Sequence, residues 1–404
     1  MDNPMDSITK VQTLNDITAS PVLVRVDFNV PLTDNLKVAD DTRIRNALPT
    51  INLLRERGAK IILASHLGRP KGKRNPKLSM IPVGQRLAEL LDQEIIVTDD
   101  CVGDGVKGVI LEQSEGDIVL LENLRYHAEE TKDDETFARA LASLAPVYVN
   151  DAFGSAHRAH ASVHAITRFV NQKAAGLLMQ KEVSILTKLT SHPEQPFVMV
   201  LGGAKVSDKI GMINNLLGKV STIIIGGAMA NTFLSAQGFD MQASKIEKDK
   251  INVAREILKR ADLRNVDIVL PHDVVTAQEI SDSAQVDHVA VDKIPEDSMA
   301  LDIGPGSIEA FSKVIKDAKT VFWNGPMGLF EKQPFADGTR KLGSTIAQSG
   351  AVSVVGGGDT VSAVSQFMLL PFFTHVSTGG GASLELLEGK ELPGLAALSE
   401  RRLH

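Results

Sequence analysis

Short apolar runs rich in β-branched residues alternate with segments of helical spacing from Pro21 onward. Two such runs are Val22 to Val26 and Lys60 to Ser65, and the helical segment Arg43 to Arg57 lies between them. Apolar strands that are separated by amphipathic helices are typical of a parallel sheet with helices on both faces. This alternation therefore predicts a doubly wound α/β fold, and it constrains the architecture more than any other feature of the chain.

The same pattern predicts the remaining elements. In the first half we expect helices at Ile81 to Asp92 and Glu135 to Leu144, and strands at Ile95 to Thr98, Ile118 to Leu121 and Val147 to Val149. In the second half we expect strands at Phe197 to Leu201, Thr222 to Ile225, Val266 to Leu270, Thr320 to Trp323 and Val352 to Val355, with helices that include Asp249 to Arg260 and Gly338 to Gln348. The alternation stops at Ser191 to Pro196 and then begins again, which indicates a domain boundary.

A chain of 404 residues is longer than a single hydrophobic core usually supports. The segment Ala174 to Leu189 has continuous helical spacing and immediately precedes the polar stretch at the boundary. We therefore predict two doubly wound parallel-sheet (Rossmann-like) α/β domains joined by a long helix and a hinge. The predicted domains are residues 1–173 and 192–388, and residues 174–191 form the connecting helix.

Composition excludes several classes of partner. A formal net charge of −7 gives no general attraction to nucleic acid or to anionic membranes. The single cysteine, Cys101, excludes a disulfide framework, and no segment approaches the roughly 20 apolar residues of a membrane helix. The N-terminal residues have neither a basic patch nor an apolar run, so we expect a cytoplasmic protein.

One stretch near the end of the chain has the order of an anion-binding site. The apolar run Ala351 to Val355 leads into the glycines Gly356 to Gly358 and then into Asp359 and Thr360, where helical spacing begins. Glycines allow backbone N–H groups to approach a ligand, and a helix N-terminus carries about half a positive charge. A carboxylate beside a phosphate needs an intervening cation, and Mg²⁺ is the usual one. A tight turn with Asp359 or Thr360 as the N-cap is the alternative interpretation.

Other strand ends of the second half also lead into glycine-rich loops. The loop Gly202 to Lys209 carries Lys205 and Lys209, which are four residues apart and are predicted to share a helical face as phosphate-binding cations. The same half contains Gly226 and Gly227, the predicted turn Leu301 to Gly306, the turn Trp323 to Pro326 with Asn324, and Glu331 as a candidate ribose ligand. Together these loops favour a nucleotide site, although the Walker A pattern is absent.

The strand ends of the first half carry cations instead. The relevant stretches are Arg25 to Pro31, Ser65 to Pro70, Glu122 to His127 and Asn150 to His160. Because the carboxyl ends of parallel strands meet at one edge of a sheet, these arginines and histidines are expected to converge. Guanidinium and imidazole groups suit a small ligand with phosphate and carboxylate groups, and Asp27 and Asn29 suit a hydroxyl between them. The spacing of His157, His160 and His164 is also compatible with a zinc-binding face, but it lacks a cysteine or a carboxylate partner.

Taken together, these motifs resemble the phosphoglycerate kinase family over essentially the whole chain. The motifs follow in the order of that family: Val24 to Pro31, Ser65 to Pro70, Glu122 to Arg125, Ala156 to His160, Gly202 to Val206, Trp323 to Pro326, Gly356 to Thr360 and Ser377 to Ser383. One small departure is Ala161, where the family often has serine.

The resemblance implies the ligands and the residues that bind them. It implies that 3-phosphoglycerate or 1,3-bisphosphoglycerate is bound by Asp27, Phe28, Asn29, Arg43, His66, Leu67, Gly68, Arg69, Arg125 and Arg158. It implies that ADP or ATP is bound by Gly203, Lys205, Lys209, Gly226, Gly227, Leu301, Asn324, Glu331, Gly357, Gly358, Asp359 and Thr360, with Mg²⁺ on Asp359. It further implies a monomer, and that residues 389–404 return to the first domain.

The implied reaction is reversible phosphoryl transfer between 1,3-bisphosphoglycerate and ADP, which gives 3-phosphoglycerate and ATP. A carboxylate nucleophile is already ionised at neutral pH, so no general base is needed, and the chain contains no obvious triad. Arg43, Lys205, Gly357 and Gly358 are the expected catalytic residues. The alternatives are a nicotinamide oxidoreductase, whose glycine fingerprint is absent from the first strand, and a hinged two-domain solute-binding protein, whose export signal is not seen.

Overall fold

The structure is a computed structural model, and it describes residues 4–399 of the chain. The chain separates into two compact units. The first unit extends to Ile185 and also takes in the segment that begins at Glu391, and the second unit comprises Leu186–Lys390. The dividing point lies within a helix that spans Leu177–Ser191.

Within residues 4–399, the first unit contains a parallel sheet of six strands. In chain order they are β1 (Pro21–Arg25), β2 (Lys60–Ala64), β3 (Ile95–Val97), β4 (Ile118–Leu120), β5 (Val147–Asn150) and β6 (Gln172–Ala175). The spatial order is β3-β4-β2-β1-β5-β6. Strand β1 therefore lies between β2 and β5, with Arg25 in register with Ala64 on one side and Asn150 on the other. The residues that follow β1, β2 and β5 are thus neighbours at one edge of the sheet.

The helices of the first unit are α1 (Thr42–Glu56), α2 (Ile81–Leu91), α3 (Asp104–Leu111), α4 (Glu135–Ala142) and the start of α5 (Leu177–Ser191). The apolar residues of α1 that are buried, Ile44, Ala47, Ile51 and Leu54, recur at helical spacing and pack in the core with the side chains of β1 and β2. The burial of this face fixes α1 against the sheet. Arg43, the second residue of α1, is thereby held at the N-terminus of the helix.

The predicted helix that begins at Ala174 is wrong at its start. Ala174 and Ala175 belong to β6 and pair with Val149 and Asn150 of β5, and the helix begins only at Leu177. Both alanines are fully buried. A short apolar segment is compatible with either helix or strand, and here pairing with β5 decided between them.

The second unit contains a second parallel sheet, which has six strands within the described part of the chain. The strands that follow α5 are β7 (Phe197–Leu201), β8 (Thr222–Ile225), β9 (Asp267–Val269), β10 (Asp273–Ala277), β11 (Asp287–Ala290), β12 (Met299–Ile303), β13 (Thr320–Asn324), β14 (Val352–Gly356) and β15 (His375–Val376). The parallel sheet has the order β15-β14-β13-β7-β8-β9, so β13 lies between β14 and β7.

Strands β10, β11 and β12 form a separate antiparallel sheet in the order β11-β10-β12, which the sequence pattern did not predict. The expected glycine-rich turn at Leu301 to Gly306 is accordingly wrong in its first half. Residues Leu301 to Ile303 are the end of β12, and the following Pro305 opens a helix. Strand β12 is held by antiparallel pairing with β10, which a local pattern of small residues does not reveal.

The helices of the second unit are α6 (Ile210–Leu216), α7 (Gly227–Gln237), α8 (Ile251–Asp262), α9 (Pro305–Lys316), α10 (Asp337–Gln348), α11 (Gly358–Gln366) and α12 (Gly381–Leu387). A final short helix, α13 (Pro393–Ala396), belongs to the first unit. There the N–H of Gly394 donates to the carbonyl of Ala156, and Lys173 Nζ donates to the carbonyl of Ala397 at 2.7 Å.

The prediction of two parallel-sheet α/β domains is confirmed. In each unit the functional motifs of the sequence lie just beyond the strands that the apolar runs predicted. Among the described residues, no helix combines the length and the apolar character that crossing a bilayer would require.

Candidate active site

The first unit concentrates polar side chains at the carboxyl end of β1. Asp27 accepts a hydrogen bond from Arg43 Nη1 at 2.7 Å, which joins this strand end to the N-terminus of α1. Asn29 Oδ1 accepts from the N–H of Gly68 at 2.8 Å, which joins it to the loop after β2. The two side chains that were predicted to bind a hydroxyl therefore also hold the neighbouring loops in place.

Arg25, the last residue of β1, is almost fully buried at 1% exposure. Its Nε donates to Ser162 Oγ at 2.9 Å, its Nη1 donates to the carbonyl of Val26, and its Nη2 lies 3.0 Å from Nδ1 of His66. Arg25 was among the strand-end cations that were expected to converge, but it was not among the residues predicted to bind the substrate.

His66 follows β2 and is 4% exposed. Burial, together with the positive charges of Arg25, Arg125 and Arg43, holds the pKa of His66 well below its usual range. Burial and the same kind of cationic surroundings lower the pKa of His160 to about 4. Both imidazoles are therefore neutral at physiological pH, whereas the sequence suggested that the histidines would add positive charge.

The permanent positive charge of this cluster comes from arginines. Arg125 donates from Nη1 to the carbonyl of Gly68 at 2.8 Å, and its buried Nε has no hydrogen-bond partner within residues 4–399. Burial and the neighbouring Arg25 and Arg158 lower the pKa of Arg125 to about 10, which still leaves it charged at neutral pH. Its positive charge attracts anions, whereas the unpaired Nε is itself shielded from solvent.

The remaining predicted substrate residues differ in exposure. Arg69 and Arg158 are exposed, and Arg158 Nε donates to Nε2 of His157 at 3.1 Å. The side chains of Phe28 and Leu67 are at most 2% exposed and form part of the core of the first unit. Their N–H groups donate to Ser65 Oγ and Asn123 Oδ1, so both residues support the strand ends from inside.

The three histidines with metal-like spacing do not form a common face. His164 Nδ1 lies 2.6 Å from Asp133, whereas His160 Nδ1 lies 3.9 Å from Glu130. They follow a succession of turns rather than one helix, because the segment has no α-helix between β5 and β6. The zinc interpretation has no support here.

In the second unit, glycines join three strand ends through the backbone. The N–H of Gly203 donates to the carbonyl of Pro326 at 2.8 Å, and the N–H of Gly227 donates to the carbonyl of Met327 at 2.8 Å. A Cβ on Gly227, which has φ +65°, would lie 2.7 Å from the backbone nitrogen of Gly203. These two N–H groups, and that of Gly226, which donates to the carbonyl of Leu201, are used in hydrogen bonds within the second unit.

Lys205 and Lys209 lie in the turns before α6 and not on a helix, which corrects the predicted shared helical face. Lys205 is exposed, whereas Lys209 is half-buried and donates from Nζ to Asn324 Oδ1. Burial lowers the pKa of Lys209, and the nearby charges of Asp208 and Asp359 act in the opposite direction.

Glu247 supports the loop that carries these lysines. Its carboxylate accepts hydrogen bonds from the N–H groups of Val206 and Ser207 and, at 2.7 Å, from the hydroxyl of Ser207. The sequence analysis missed Glu247 because it lies about 40 positions away, and no local pattern connects it with the loop.

The strand β14 and helix α11 form the arrangement that the glycine motif predicted. Gly357 precedes α11 with φ +90°, and a Cβ there would lie 2.7 Å from Nδ2 of Asn324. Thr360 Oγ1 accepts from the N–H of Gly325 at 2.7 Å, and Asn324 Nδ2 donates to the carbonyl of Gly356 at 2.8 Å. These hydrogen bonds fix the loop before α11. The first N–H groups of α11 have no carbonyl of their own helix to bind.

The open end of α11 is accessible to a ligand. Gly358 and Asp359 are exposed, and a Cβ on Gly358 would meet no atom of the described residues within 4 Å. Within residues 4–399, the carboxylate of Asp359 forms no hydrogen bond or ion pair. This helix end therefore combines free N–H groups, a positive dipole and an uncommitted carboxylate.

Leu301 and Glu331 both belong to the second unit. The carbonyl of Leu301 accepts from the N–H of Leu329 at 2.9 Å, and Glu331 is exposed just beyond that loop. Asp302 beneath them is buried and accepts from the N–H of Gly338 at 2.7 Å, and burial raises its pKa to about 8.

Each unit is an α/β domain with a parallel sheet. The first has buried arginines at its strand ends, and the second has an open helix N-terminus after a glycine-rich loop. These features are typical of an α/β phosphotransferase. Comparisons with known proteins identify the family. A sequence profile of phosphoglycerate kinase matches residues 11–390. The chain belongs to the phosphoglycerate kinase family, as its motifs predicted. It is therefore a kinase that transfers phosphate to the carboxyl group of 3-phosphoglycerate, and neither alternative class is favoured.

Individual relatives agree with this assignment. Phosphoglycerate kinase of Anaeromyxobacter sp. (strain Fw109-5) is 54% identical over 385 residues, which cover 95% of this chain and 97% of that protein. The solved structure of phosphoglycerate kinase from Coxiella burnetii is 37% identical, with a TM-score of 0.88 and coverage of 97% of this chain and 98% of the other. The corresponding enzyme from Pyrococcus horikoshii OT3 is 31% identical, with a TM-score of 0.84 and the same coverage.

Proposed function

We propose that the first unit binds 3-phosphoglycerate or 1,3-bisphosphoglycerate, and that the second unit binds ADP or ATP with Mg²⁺. The observation that carries this division is the contrast between the two strand-end sites. Side-chain cations converge around His66 in the first unit, whereas the open N-terminus of α11 dominates the second. The first arrangement suits a small ligand with two anionic ends, and the second suits a nucleotide phosphate chain.

In the first unit we assign the anionic groups of the substrate to Arg43, Arg69, Arg125 and Arg158. Arg125 has a donor to spare, and Arg69 and Arg158 are exposed on loops at the same edge of the sheet. His66 contributes a neutral hydrogen-bond donor, and Asp27 and Asn29 bind the hydroxyl group of the substrate. The backbone of Gly68, which has φ +62°, completes the loop that carries Arg69.

In the second unit we assign the nucleotide phosphates to Lys205, Lys209 and the N–H groups of the first turn of α11. Thr360 and Asn324 hold that turn against the end of β13, so they position it. Gly203, Gly226 and Gly227 form the floor of the site by close backbone packing. Leu301 and Glu331 are assigned to the adenine and the ribose respectively.

Mg²⁺ fits the residues at the open end of α11. Asp359 offers hard carboxylate oxygens that are exposed and not used by other residues within the described part of the chain. Mg²⁺ is commonly held by one or two carboxylates together with phosphate oxygens. When it is bound, Mg²⁺ neutralises charge on the nucleotide phosphates, and Asp359 would hold it.

The chemistry requires positioning and charge stabilisation rather than proton abstraction. The nucleophile in ATP-dependent phosphorylation is a carboxylate with a pKa of about 3.5, so it is ionised without a base. Arg43, at the N-terminus of α1 and paired with Asp27, is assigned to the carboxylate side of the transferring group. Lys205 and the N–H groups of Gly357 and Gly358 are assigned to its equatorial oxygens.

Direct transfer requires the reacting atoms of the two ligands to approach to about 3–3.5 Å in line. We therefore propose hinge-bending of the two units, with α5 and the segment Ser377 to Ser383 as the places that flex; the last three residues of this segment are the first turn of α12 and not a loop. We also propose a monomeric cytoplasmic enzyme. Small-angle scattering should show compaction when both substrates are added, and an unchanged radius of gyration would contradict the hinge.

A coupled assay of ATP-dependent phosphorylation of 3-phosphoglycerate tests the residue roles. Arg43→Ala and Lys205→Ala are each expected to lower kcat by about 100-fold or more, because each removes charge from the transition state. Arg45→Ala and Lys248→Ala are matched controls: Arg45 is an exposed arginine on the same helix as Arg43, and Lys248 is an exposed lysine of the second unit. Near-normal kcat in a folded Arg43→Ala or Lys205→Ala protein would contradict that assignment.

The same assay tests the magnesium assignment. Asp359→Asn is expected to raise the Mg²⁺ concentration needed for half-maximal rate by about tenfold, because a carboxylate ligand is lost while its shape is kept. Asp208→Asn, at an exposed position in the neighbouring loop, should leave that concentration unchanged. An unaltered Mg²⁺ dependence in Asp359→Asn would remove Asp359 from the site.

A further inference from the structure

Beneath the arginine cluster lies a buried carboxylate that the roles proposed above do not use. Glu130, in a single helical turn after β4, is 0% exposed. Its Oε2 accepts from the N–H of Ser162 at 2.9 Å, and its Oε1 accepts from the hydroxyl of Ser162 at 2.6 Å. Its carbonyl also accepts from the N–H of Ala161 at 2.9 Å, so Glu130 fixes the loop that carries Ser162.

The hydroxyl of Ser162 connects this carboxylate to Arg25. It donates its proton to Glu130 and accepts from Nε of Arg25 at 2.9 Å, so the direction of both hydrogen bonds is determined. Within the described residues, Arg25 has no direct carboxylate partner, since its other bonds go to the carbonyl of Val26 and to His66. A buried guanidinium without compensating charge is costly, and Glu130 supplies that charge at the distance of one hydroxyl group.

Arg25 in turn determines which nitrogen of His66 carries the proton. An arginine has donors only, so the contact of 3.0 Å between its Nη2 and Nδ1 of His66 requires Nδ1 to be an acceptor. A neutral imidazole with an unprotonated Nδ1 has its proton on Nε2. The charged groups that face His66 are Arg25, Arg43 and Arg125, with His160 also near, and all of them oppose its protonation.

We propose that Glu130 is a positioning residue which, through Ser162 and Arg25, fixes His66 as the neutral tautomer that presents Nε2–H to the substrate. This proposal rests on the assignment of His66 to the 3-phosphoglycerate site. The fixed tautomer supplies a directed hydrogen-bond donor among arginines that supply the charge. Within residues 4–399, Nε2 of His66 has no protein hydrogen-bond partner, so this donor remains available to the ligand.

Nitrogen NMR of the full-length protein with ¹⁵N-labelled histidine tests the tautomer directly, without substrate. His66, assigned by comparison with His66→Gln, is expected to show one pyrrole-like nitrogen bearing a proton, Nε2, and one pyridine-like nitrogen, Nδ1. Glu130→Gln and Ser162→Ala are expected to replace that pattern with averaged shifts of the two tautomers. An Nδ1-protonated or doubly protonated ring in the parent protein would overturn the proposal.

Kinetics provide the second readout. Glu130→Gln and Ser162→Ala are each expected to raise the KM for 3-phosphoglycerate by about tenfold, as for loss of a hydrogen bond to a charged group, with the KM for ATP unchanged. Ser162→Thr keeps the hydroxyl and should restore both the tautomer and the KM. Glu129→Gln is the matched control, because this neighbouring side chain is exposed.

The outcomes separate this proposal from the assignment on which it rests. If His66→Gln leaves the KM for 3-phosphoglycerate unchanged, the assignment of His66 to the substrate site fails, whatever the tautomer. If His66→Gln raises that KM but Glu130→Gln and Ser162→Ala change neither tautomer nor KM, the positioning role of Glu130 is wrong. Should Glu130→Gln not fold, Ser162→Ala gives the same decision, since it removes the hydroxyl while leaving the buried carboxylate bonded to the backbone N–H.

Discussion

The anion site proposed for the first unit is built from side-chain charge, whereas the one proposed for the second unit is built mainly from backbone geometry. In the first, buried arginines such as Arg25 and Arg125 surround a neutral His66. In the second, closely packed glycines such as Gly227 hold three strand ends together, and the N-terminus of α11 is left open. Substitutions should therefore affect the two sites differently: loss of charge should weaken the first site, and added side chains should disrupt the second.

Each construction carries its own requirement. Buried cations need partners, which is why the first site has a supporting network of Asp27, Ser162 and Glu130 beneath it. Backbone packing needs the absence of side chains, which is why the second site depends on glycine at positions where a Cβ would meet backbone atoms. The following predictions test this difference, in order of decreasing effect.

The largest effect is expected from a side chain added to the floor of the second site. Gly227→Val places a Cβ 2.7 Å from the backbone of Gly203 at a positive φ, so it should lower the free energy of unfolding by about 3 kcal/mol or more. Nucleotide binding, measured by calorimetry, should be lost. Gly358→Ala is the control, because a Cβ there meets no described atom within 4 Å, and it should fold normally. Nucleotide binding of normal affinity in Gly227→Val would show that the second site does not depend on close backbone packing at this glycine.

An intermediate effect is expected from removing one charge in the first site. Arg125→Met keeps much of the buried side-chain volume but removes the guanidinium, so the KM for 3-phosphoglycerate should rise by about 10–100-fold. The KM for ATP should stay within about twofold, because Arg125 is assigned to the site of the first unit, where it donates to the carbonyl of Gly68. Arg168→Met, at an exposed arginine of the same unit, is the matched control. Equal increases in both KM values would show that the two sites are not independent.

The smallest effect concerns pH. The pKa of His160 is about 4 in the folded protein and near 6.5 in an unfolded chain, so the folded protein binds fewer protons between these values. Stability should therefore fall as the pH is lowered from 7 to 5, and His160→Gln should remove about 1 kcal/mol of that loss after allowance for solvent screening. Urea unfolding at both pH values measures the difference. His192→Gln, at an exposed histidine, should behave as the parent protein, and an equal loss in His160→Gln would contradict a neutral buried His160.

Much of the fold could be predicted from local patterns. The strands Phe197–Leu201 and Thr222–Ile225 begin and end where the apolar runs do, because each run is preceded by proline or serine and followed by glycine. The order of motifs at strand ends was also sufficient to identify the family. The antiparallel strands β10 to β12 were missed, since their burial comes from packing within the second unit rather than from a continuous apolar run.

The site was predicted less completely than the fold. Arg43, His66, Arg125 and Thr360 lie where their motifs indicated, because each follows a strand or begins a helix. The protonation state of His66 and the use of the glycine N–H groups by other loops depend on atoms that are far away in sequence. Patterns of residue type contain no information about such pairings.

By itself, the sequence determined the alternation of strands and helices, the motifs at the strand ends and therefore the family, because burial and backbone preference act over short stretches of chain. Only the tertiary structure decided that Ala174 would lie in a strand, that Gly227 would pack against the backbone of Gly203, and that His66 would be neutral. It did so because hydrogen-bond partners and desolvation are set by neighbours in space. Glu130 illustrates the difference: it is one glutamate among many in the sequence, and it is the buried counter-charge of the arginine cluster in the fold.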